Sequence, residues 1–267
     1  MHPFDEAIRL DPVGGELMRG RTHPGWSNMV GPFGGITAAV LTHAVEIHPD
    51  AIGEPLALTV NFAAPVADGD FEVAVRAART NRSNQHWTLE LRQDGEVKTT
   101  ATAVTGIRRD TWADTEAQPP SVEAPERFAP TDLMGSVVLW ARNYDMRFAE
   151  GPLPDDGQTR ESSTTTWWLR DRAQRRLDYP GLAALGDAFY PRVFLRRGGL
   201  APAGTISLTM YFHADQQQLD ALRSEDFLLG SAYANRFSRG YFDQTAHVWS
   251  ADAELLASSH QLVYFKA

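Results

Sequence analysis

The sequence predicts an α+β fold built twice over: two repeats, each a long helix wrapped by an antiparallel sheet, packed within one chain as a pseudo-dimer. Three observations predict it. The apolar period switches from that of a helix to that of strands, in the same order in both halves. Short matches recur in step along the chain: Leu58-Thr59-Val60-Asn61-Phe62 with Leu208-Thr209-Met210-Tyr211-Phe212, Phe71–Ser83 with Phe227–Ser238, and Asp94-Gly95-Glu96-Val97 with Asp252-Ala253-Glu254-Leu255. Gly35-Ile36 aligns with Gly181-Leu182, each pair opening a helix. A charged, proline-rich stretch without periodicity, residues 108–130, lies between the matches. The predicted organisation is an N-terminal repeat over 1–110, a linker over 111–130 and a C-terminal repeat over 131–267.

In chain order, residues 15–30 predict an edge strand broken at Pro24-Gly25. The segment GPFGG, Gly31 to Gly35, opens a helix whose stripe is Ile36, Ala39, Val40, His43, Ala44 and Ile47, and Pro49 ends it. Leu58, Val60 and Phe62 then alternate with polar residues, as a strand requires. Strands follow at 71–80, 86–93 and 96–106, the last two joined by an Asp94-Gly95 hairpin. After the linker, strands at 143–149 and 163–170 flank a loop. A helix starting at Gly181 ends near Pro191, and strands close the chain at 204–213, 226–237, 240–250 and 253–266. A helix that is apolar on most sides must be wrapped by its sheet. Two such units side by side build a cleft at their junction, a usual ligand location.

Composition narrows the function classes. A hydrophobic fraction of 43% and a charged fraction of 22% are those of a globular protein. No apolar run approaches a membrane span, and the acidic N-terminus MHPFDEAIRL lacks the apolar core of a signal peptide. The chain has no cysteine, which excludes disulfides, thiol nucleophiles and thiolate metal sites and fits a cytoplasmic location. A net charge of −9 without a Lys/Arg run offers no track for nucleic acid. There is no G-x-S-x-G elbow, no phosphate loop and no metal-ligand spacing among the eight histidines. His213 and His260 read as structural. No metal and no cofactor are expected.

The stretch GLAALGDAFY, Gly181–Tyr190, carries the candidate chemistry. Leu182, Leu185 and Phe189 share a helical face, and Ala183 and Ala184 line the side of Asp187, so the helix reads as buried all round. A buried carboxylate is paired with a base, reaches water at the helix edge, or has a chemical purpose. Aligning Gly35 with Gly181 puts Leu41 at the position of Asp187, so any chemistry is confined to the second half. Gln261 falls on the mostly apolar face of the last strand, and a buried amide must be hydrogen-bonded. Its counterpart is Ala103. Thr205 begins the strand TISLTMYFH and shares a face with Ser207 and Thr209; alone it reads as an ordinary strand threonine.

Three motifs resemble one family. Leu185-Gly186-Asp187-Ala188-Phe189, Gly204-Thr205-Ile206 with Met210-Tyr211-Phe212-His213, and Leu256-Ala257-Ser258-Ser259-His260-Gln261 resemble acyl-CoA thioesterase II (TesB-like) proteins. The resemblance covers roughly 15–110 and 135–267. It implies a double hotdog fold, a place in lipid metabolism, and hydrolysis of an acyl-CoA thioester by a water held by Asp187, Thr205 and Gln261. Donors for the oxyanion would be backbone N–H groups at a helix start, Gly34, Gly35 or Gly181, although close helix–strand packing explains GPFGG as well. Arg196, Arg197, Arg236 and Arg239 are either ordinary surface arginines or contacts for the phosphates of coenzyme A. The other readings are an acyl-thioester binding or regulatory protein with little turnover, and a hotdog dehydratase or isomerase that leaves the thioester intact. Self-association as a homodimer or higher oligomer is compatible with the fold.

Overall fold

The computed structural model describes residues 1–132 and 138–266; residues 133–137 and 267, both in the predicted C-terminal repeat, lie outside them. The first half contains α1 (Pro3–Ala7), β1 (Asp11–Gly14), β2 (Leu17–Arg21), α2 (Gly34–Glu46), β3 (Glu54–Phe62), β4 (Asp70–Thr80), β5 (Asn84–Gln93) and β6 (Glu96–Gly106). The second contains β7 (Tyr144–Glu150), β8 (Thr165–Asp171), α3 (Tyr179–Leu185), α4 (Val193–Arg197), β9 (Ala203–Phe212), α5 (Gln216–Ala221), β10 (Leu228–Tyr233), β11 (Phe237–Ser238), β12 (Tyr241–Trp249) and β13 (Leu255–Phe265). The strands of the described residues make one thirteen-stranded antiparallel sheet in the order β1-β2-β4-β5-β6-β3-β9-β13-β12-β10-β8-β7, with β11 on β12.

That order reads as two six-strand halves related by a twofold axis between β3 and β9. Thr59 faces Thr209 with their hydroxyls 3.1 Å apart, and Ala57↔Tyr211 mirrors Asn61↔Ser207 about them. These are the residues the internal repeat aligns. The fold is the α+β double hotdog: α2 and α3 pack on each other and on the inner face of the sheet, and the core is continuous across both halves. α2 is buried nearly all round rather than along one stripe, and Ile47, at the end of the predicted stripe, is exposed. Asp94 and Gly95, both at positive φ, make the hairpin between β5 and β6.

Three details differ from expectation. The strand read at 15–30 is shorter and is not the sheet edge: Gly14 and Gly15, both at positive φ, turn the chain back so that β1 covers β2. The second-half helix is seven residues long and starts at Tyr179, because Asp178 caps it and Pro180 sits in its first turn. It stops at Gly186, where any side chain would meet the sulfur of Met210 at 2.6 Å. Asp187 therefore lies in the turn beyond the helix. Residues 108–130 hold a single 3-10 turn, Pro125–Arg127, but their apolar members are not idle. Ala117, Val122 and Phe128 pack on Trp168, Phe227, Leu229 and Trp249, a second small core, and Trp168 donates to the Glu123 carbonyl.

Candidate active site

Each of the three candidate side chains reaches one cleft by a different local device. Asp187 follows the end of α3, where the turn after Gly186 aims its carboxylate at the first residues of α2. Gln261 sits on the inward face of β13 and is 2% exposed. Thr205 arrives by a β-bulge. In β9 Ser207 pairs with Leu262 while Thr205 pairs with Val263, so Ile206 is the extra residue and the strand's alternation inverts there. Counting by two puts Thr205 on the outer face with Ser207 and Thr209. The bulge turns it inward, a common device beside functional sites.

The three side chains form one hydrogen-bonded chain. Thr205 Oγ1 donates to Gln261 Oε1 at 2.9 Å, and Gln261 Nε2 donates to Asp187 Oδ1 at 3.0 Å and to the Gly186 carbonyl at 3.4 Å. Ser259 donates to the same carbonyl at 2.8 Å, which fixes the turn that carries Asp187. Because Nε2 faces two acceptors and Oε1 a hydroxyl, only one orientation of the amide satisfies the network.

The other Asp187 oxygen lies at the start of α2. A Cβ on Gly34 would come within 2.6 Å of Oδ2. The N-cap of α2, Phe33, makes no side-chain capping bond, so a carboxylate from the other half occupies the place of a cap. Burial raises the Asp187 pKa, the Gln261 amide and the Gly35 N–H lower it, and the balance leaves it at about 7. Among the described residues no lysine or arginine lies within ion-pair distance of it.

The cleft is about 690 Å³, and Asp187, Thr205 and Gln261 line it together with Phe33, Trp140, Phe189, Phe194 and Val263. Phe33 and Trp140 stack at 4.0 Å and form one aromatic wall from two halves of the chain. Trp140 belongs to the core and also lines the cleft. Trp26, Trp87 and Trp167 are in the same core but do not line the cleft. Its twofold mate is a smaller hollow of about 210 Å³ lined by Thr42, Pro55, Ala103 and Thr105. Register pairs Ala103 with Leu58 as Gln261 pairs with Leu208, which makes Ala103 the counterpart of Gln261. Pro55 takes the place of Thr205. Matching the helix starts puts Thr42, rather than Leu41, at the Asp187 position. None of the three can do the same chemistry.

The remaining candidates are spread out. Gly34 and Gly35 are at the site. Gly181 is not: its N–H donates to Asp178 at 2.8 Å within α3, and it lines a separate cleft with Arg175 and Leu222. It therefore has no free donor for an oxyanion. Arg196, Arg197, Arg236 and Arg239 are exposed and none lines the Asp187 cleft. Arg196 is tied to the Glu161 carbonyl and lies over the Phe237 ring. His213 bonds Ser258 and His260 bonds Thr245, away from the cleft. Among the described residues no cluster of His, Asp and Glu could hold a metal ion, and no helix is long and apolar enough to cross a membrane.

Sequence reasoning passed over two residues beside the site, Gln244 and Arg192. Gln244 stands on the inner face of β12 directly opposite Gln261. The signal that singles out Gln261, an amide on an apolar strand face, is equally present in Phe242, Gln244, Ala246 and Val248.

Comparison with known proteins agrees with this architecture. Residues 22–106 match the family model of the acyl-CoA thioesterase N-terminal domain, and residues 113–265 that of the acyl-CoA thioesterase C-terminal domain. No curated protein matches the sequence. Among solved structures, a conserved protein of unknown function with a hot dog fold from Alicyclobacillus acidocaldarius is 45% identical, with 100% of this chain and 99% of that one covered and a TM-score of 0.94. A tesB protein from Mycobacterium avium subsp. paratuberculosis is 16% identical, covering 99% and 98% of the two chains, with a TM-score of 0.79. An acyl-CoA thioesterase II from Mycobacterium marinum is 17% identical, covering 99% and 97%, with a TM-score of 0.77. At those identities the two mycobacterial structures speak to the fold alone.

Proposed function

The chain belongs to the acyl-CoA thioesterase family and is a thioester hydrolase, and from that premise we propose that it hydrolyses acyl-CoA with Asp187 as general base. The observation that carries the reading is the hydrogen-bonded chain Thr205–Gln261–Asp187, laid along the wall of a cleft shared with Phe33, Trp140, Phe189 and Phe194 and ending at a helix N-terminus. A carboxylate with a pKa near 7 suits a base working near neutral pH.

In this reading a water held by Asp187 and Thr205 attacks the thioester carbonyl carbon. Asp187 takes one water proton as the C–O bond forms and the carbonyl oxygen becomes an oxyanion. The oxyanion collapses, the C–S bond breaks, and the proton on Asp187 passes to the departing thiolate. The products are the free acid and coenzyme A. Gln261 does not move a proton; it fixes the base and the hydroxyl relative to each other. Positioning of this kind is worth about 7 kcal/mol of barrier in good cases. The N–H of Gly34 is the oxyanion donor the arrangement favours, because Gly35 faces Asp187 and among the described residues nothing accepts from Gly34. The exposed arginines Arg196, Arg197, Arg236 and Arg239 are assigned at most a transient role toward the phosphates of coenzyme A.

The test is release of thiol from a panel of acyl-CoAs of different chain length. Release that drops roughly 10²- to 10⁴-fold in Asp187→Asn, with acyl-CoA binding retained, supports the base. Binding without release from any thioester would instead establish a binding or regulatory protein, and conversion of an enoyl-CoA with its thioester intact would establish a dehydratase.

A further inference from the structure

Arg192 is completely buried, and its partners are all neutral. Its guanidinium donates to the Tyr190 carbonyl, to the Ser163 carbonyl at 3.3 Å, to Thr165 Oγ1 at 2.5 Å and to Gln244 Oε1 at 3.2 Å. Among the described residues no carboxylate is within ion-pair distance. Burial lowers its pKa only to about 10, so the charge persists at neutral pH. A buried cation without a counter-charge is costly and is not a packing solution.

Gln244 connects this charge to the cleft. It is 1% exposed and lines the cleft beside Gln261. A guanidinium only donates, so the amide atom facing Arg192 must be the oxygen, and the NH₂ is turned the other way. Among the described residues nothing accepts from that NH₂. It is a donor in a mostly apolar cleft, backed by a positive charge, beyond the chain that ends at Asp187. The fold does not require an amide there: by register Gln244 pairs with Gln261 as Trp87 pairs with Ala103, so its twofold mate is an indole. Across the inner face of the sheet the order is Thr205 on β9, Gln261 on β13, Gln244 on β12 and then Arg192. Such a polar row is a poor bed for a plain hydrocarbon tail.

We propose that Gln244, oriented by Arg192, is a specificity-determining residue that selects CoA thioesters whose acyl chain carries a carboxylate. The inference rests on the hydrolase reading of the same cleft. The acyl carboxylate accepts from the Gln244 NH₂ and supplies the counter-charge Arg192 lacks. A neutral oxygen would use the amide alone and leave the charge uncompensated.

The experiment compares kcat/KM for hexanoyl-CoA with adipoyl-CoA, octanoyl-CoA with suberoyl-CoA, and both pairs with 3-hydroxyhexanoyl-CoA. A charge-assisted hydrogen bond should give the carboxylate-ended member of at least one pair roughly a tenfold to hundredfold advantage. Gln244→Glu keeps an acceptor for Arg192 and supplies its counter-charge internally, so the variant should fold with unchanged or higher Tm while that advantage disappears. Gln244→Leu should lose the advantage as well. A wild-type preference for the hydrocarbon or 3-hydroxy chains overturns the proposal, as does an advantage that survives in Gln244→Glu. If no thioester is cleaved, it is the hydrolase reading that fails. The carboxylate preference is then read from calorimetric affinities for the same pairs, with the same outcomes deciding it.

Discussion

Burial and the start of α2 pull on Asp187 in opposite directions, and burial wins, leaving the carboxyl at about 7 instead of 3.8. Two consequences follow at the level of this one residue. A general base works only when ionised, so the role proposed for Asp187 requires kcat/KM to rise tenfold per pH unit below about 7 and level off above it, and a profile flat from pH 5 to 9 would remove Asp187 from that role. Stability runs the other way. The folded chain holds the Asp187 proton more tightly than the unfolded chain, so this group's contribution is fully present below 3.8 and is lost as pH rises through about 7. Asp187→Asn should therefore be more stable than the wild type at pH 8, by up to a few kcal/mol, and no more stable at pH 4. Paired scans of Tm at the two pH values read this difference, while the other carboxylates cancel between the two proteins. Thr205→Val leaves Gln261 Oε1 without its donor, an unsatisfied buried acceptor costing about 1–3 kcal/mol. We expect kcat to fall roughly tenfold to a hundredfold and Thr205→Ser to restore most of it. Residue identity was legible here without the structure: an acid in an apolar stretch and an amide on an apolar strand face are anomalies of composition. Gln244 is the same anomaly, and Arg192 is hidden because arginines are ordinarily surface residues.

At the scale of elements, the site is made by how two helices end. α2 starts without a side-chain cap and α3 stops at Gly186, so a carboxylate from one half completes the helix of the other. Gly34 leaves room for it. In Gly34→Ala the new methyl would sit 2.6 Å from Asp187 Oδ2 and 3.3 Å from the Phe62 ring. The atom in the way is the end of a side chain, so the carboxylate can swing aside at modest cost to the fold. We expect a loss of no more than about 1–3 kcal/mol in stability. On the role proposed for Asp187 the turnover number should drop by tenfold or more, because its carboxylate is displaced relative to Gln261 and Thr205. An unchanged kcat in a folded Gly34→Ala protein would mean that Asp187 acts elsewhere. The order of elements was legible in the sequence because period and turn residues are local signals. The Ile206 bulge was not, since an extra residue in a ladder shows only against the partner strand. The end of α3 was missed because Ala188 and Phe189 prolong an apolar pattern that the backbone has already left.

For the whole molecule, twofold symmetry and asymmetric chemistry belong together. The halves share one sheet through β3 and β9 and one core through α2 and α3, and Arg108 of the first half pairs with Glu54 and donates to the Phe212 and Ala214 carbonyls of the second. The cleft takes Phe33 and the helix start that faces Asp187 from the first half, and Trp140 and the chain Thr205–Gln261–Asp187 from the second. Neither half contains a complete site, and each alone would expose the apolar surface that the other covers. The covalent link between them is of a different kind. Residues 109–116 are exposed throughout, whereas Ala117, Val122 and Phe128 pack on the second core. A cut in the exposed part should therefore leave the remaining linker attached to the C-terminal half without disturbing either core. We expect a chain nicked between Asp110 and Thr115 to elute at the size of the intact protein and to keep its thioester hydrolysis. The two fragments expressed apart should be inactive and poorly soluble, with activity returning when they are refolded together. Fragments that separate on nicking would show that the β3–β9 seam and the α2–α3 contact are too weak to hold the site together without the tether. An active C-terminal fragment alone would show that the first half is not needed to set the environment of Asp187.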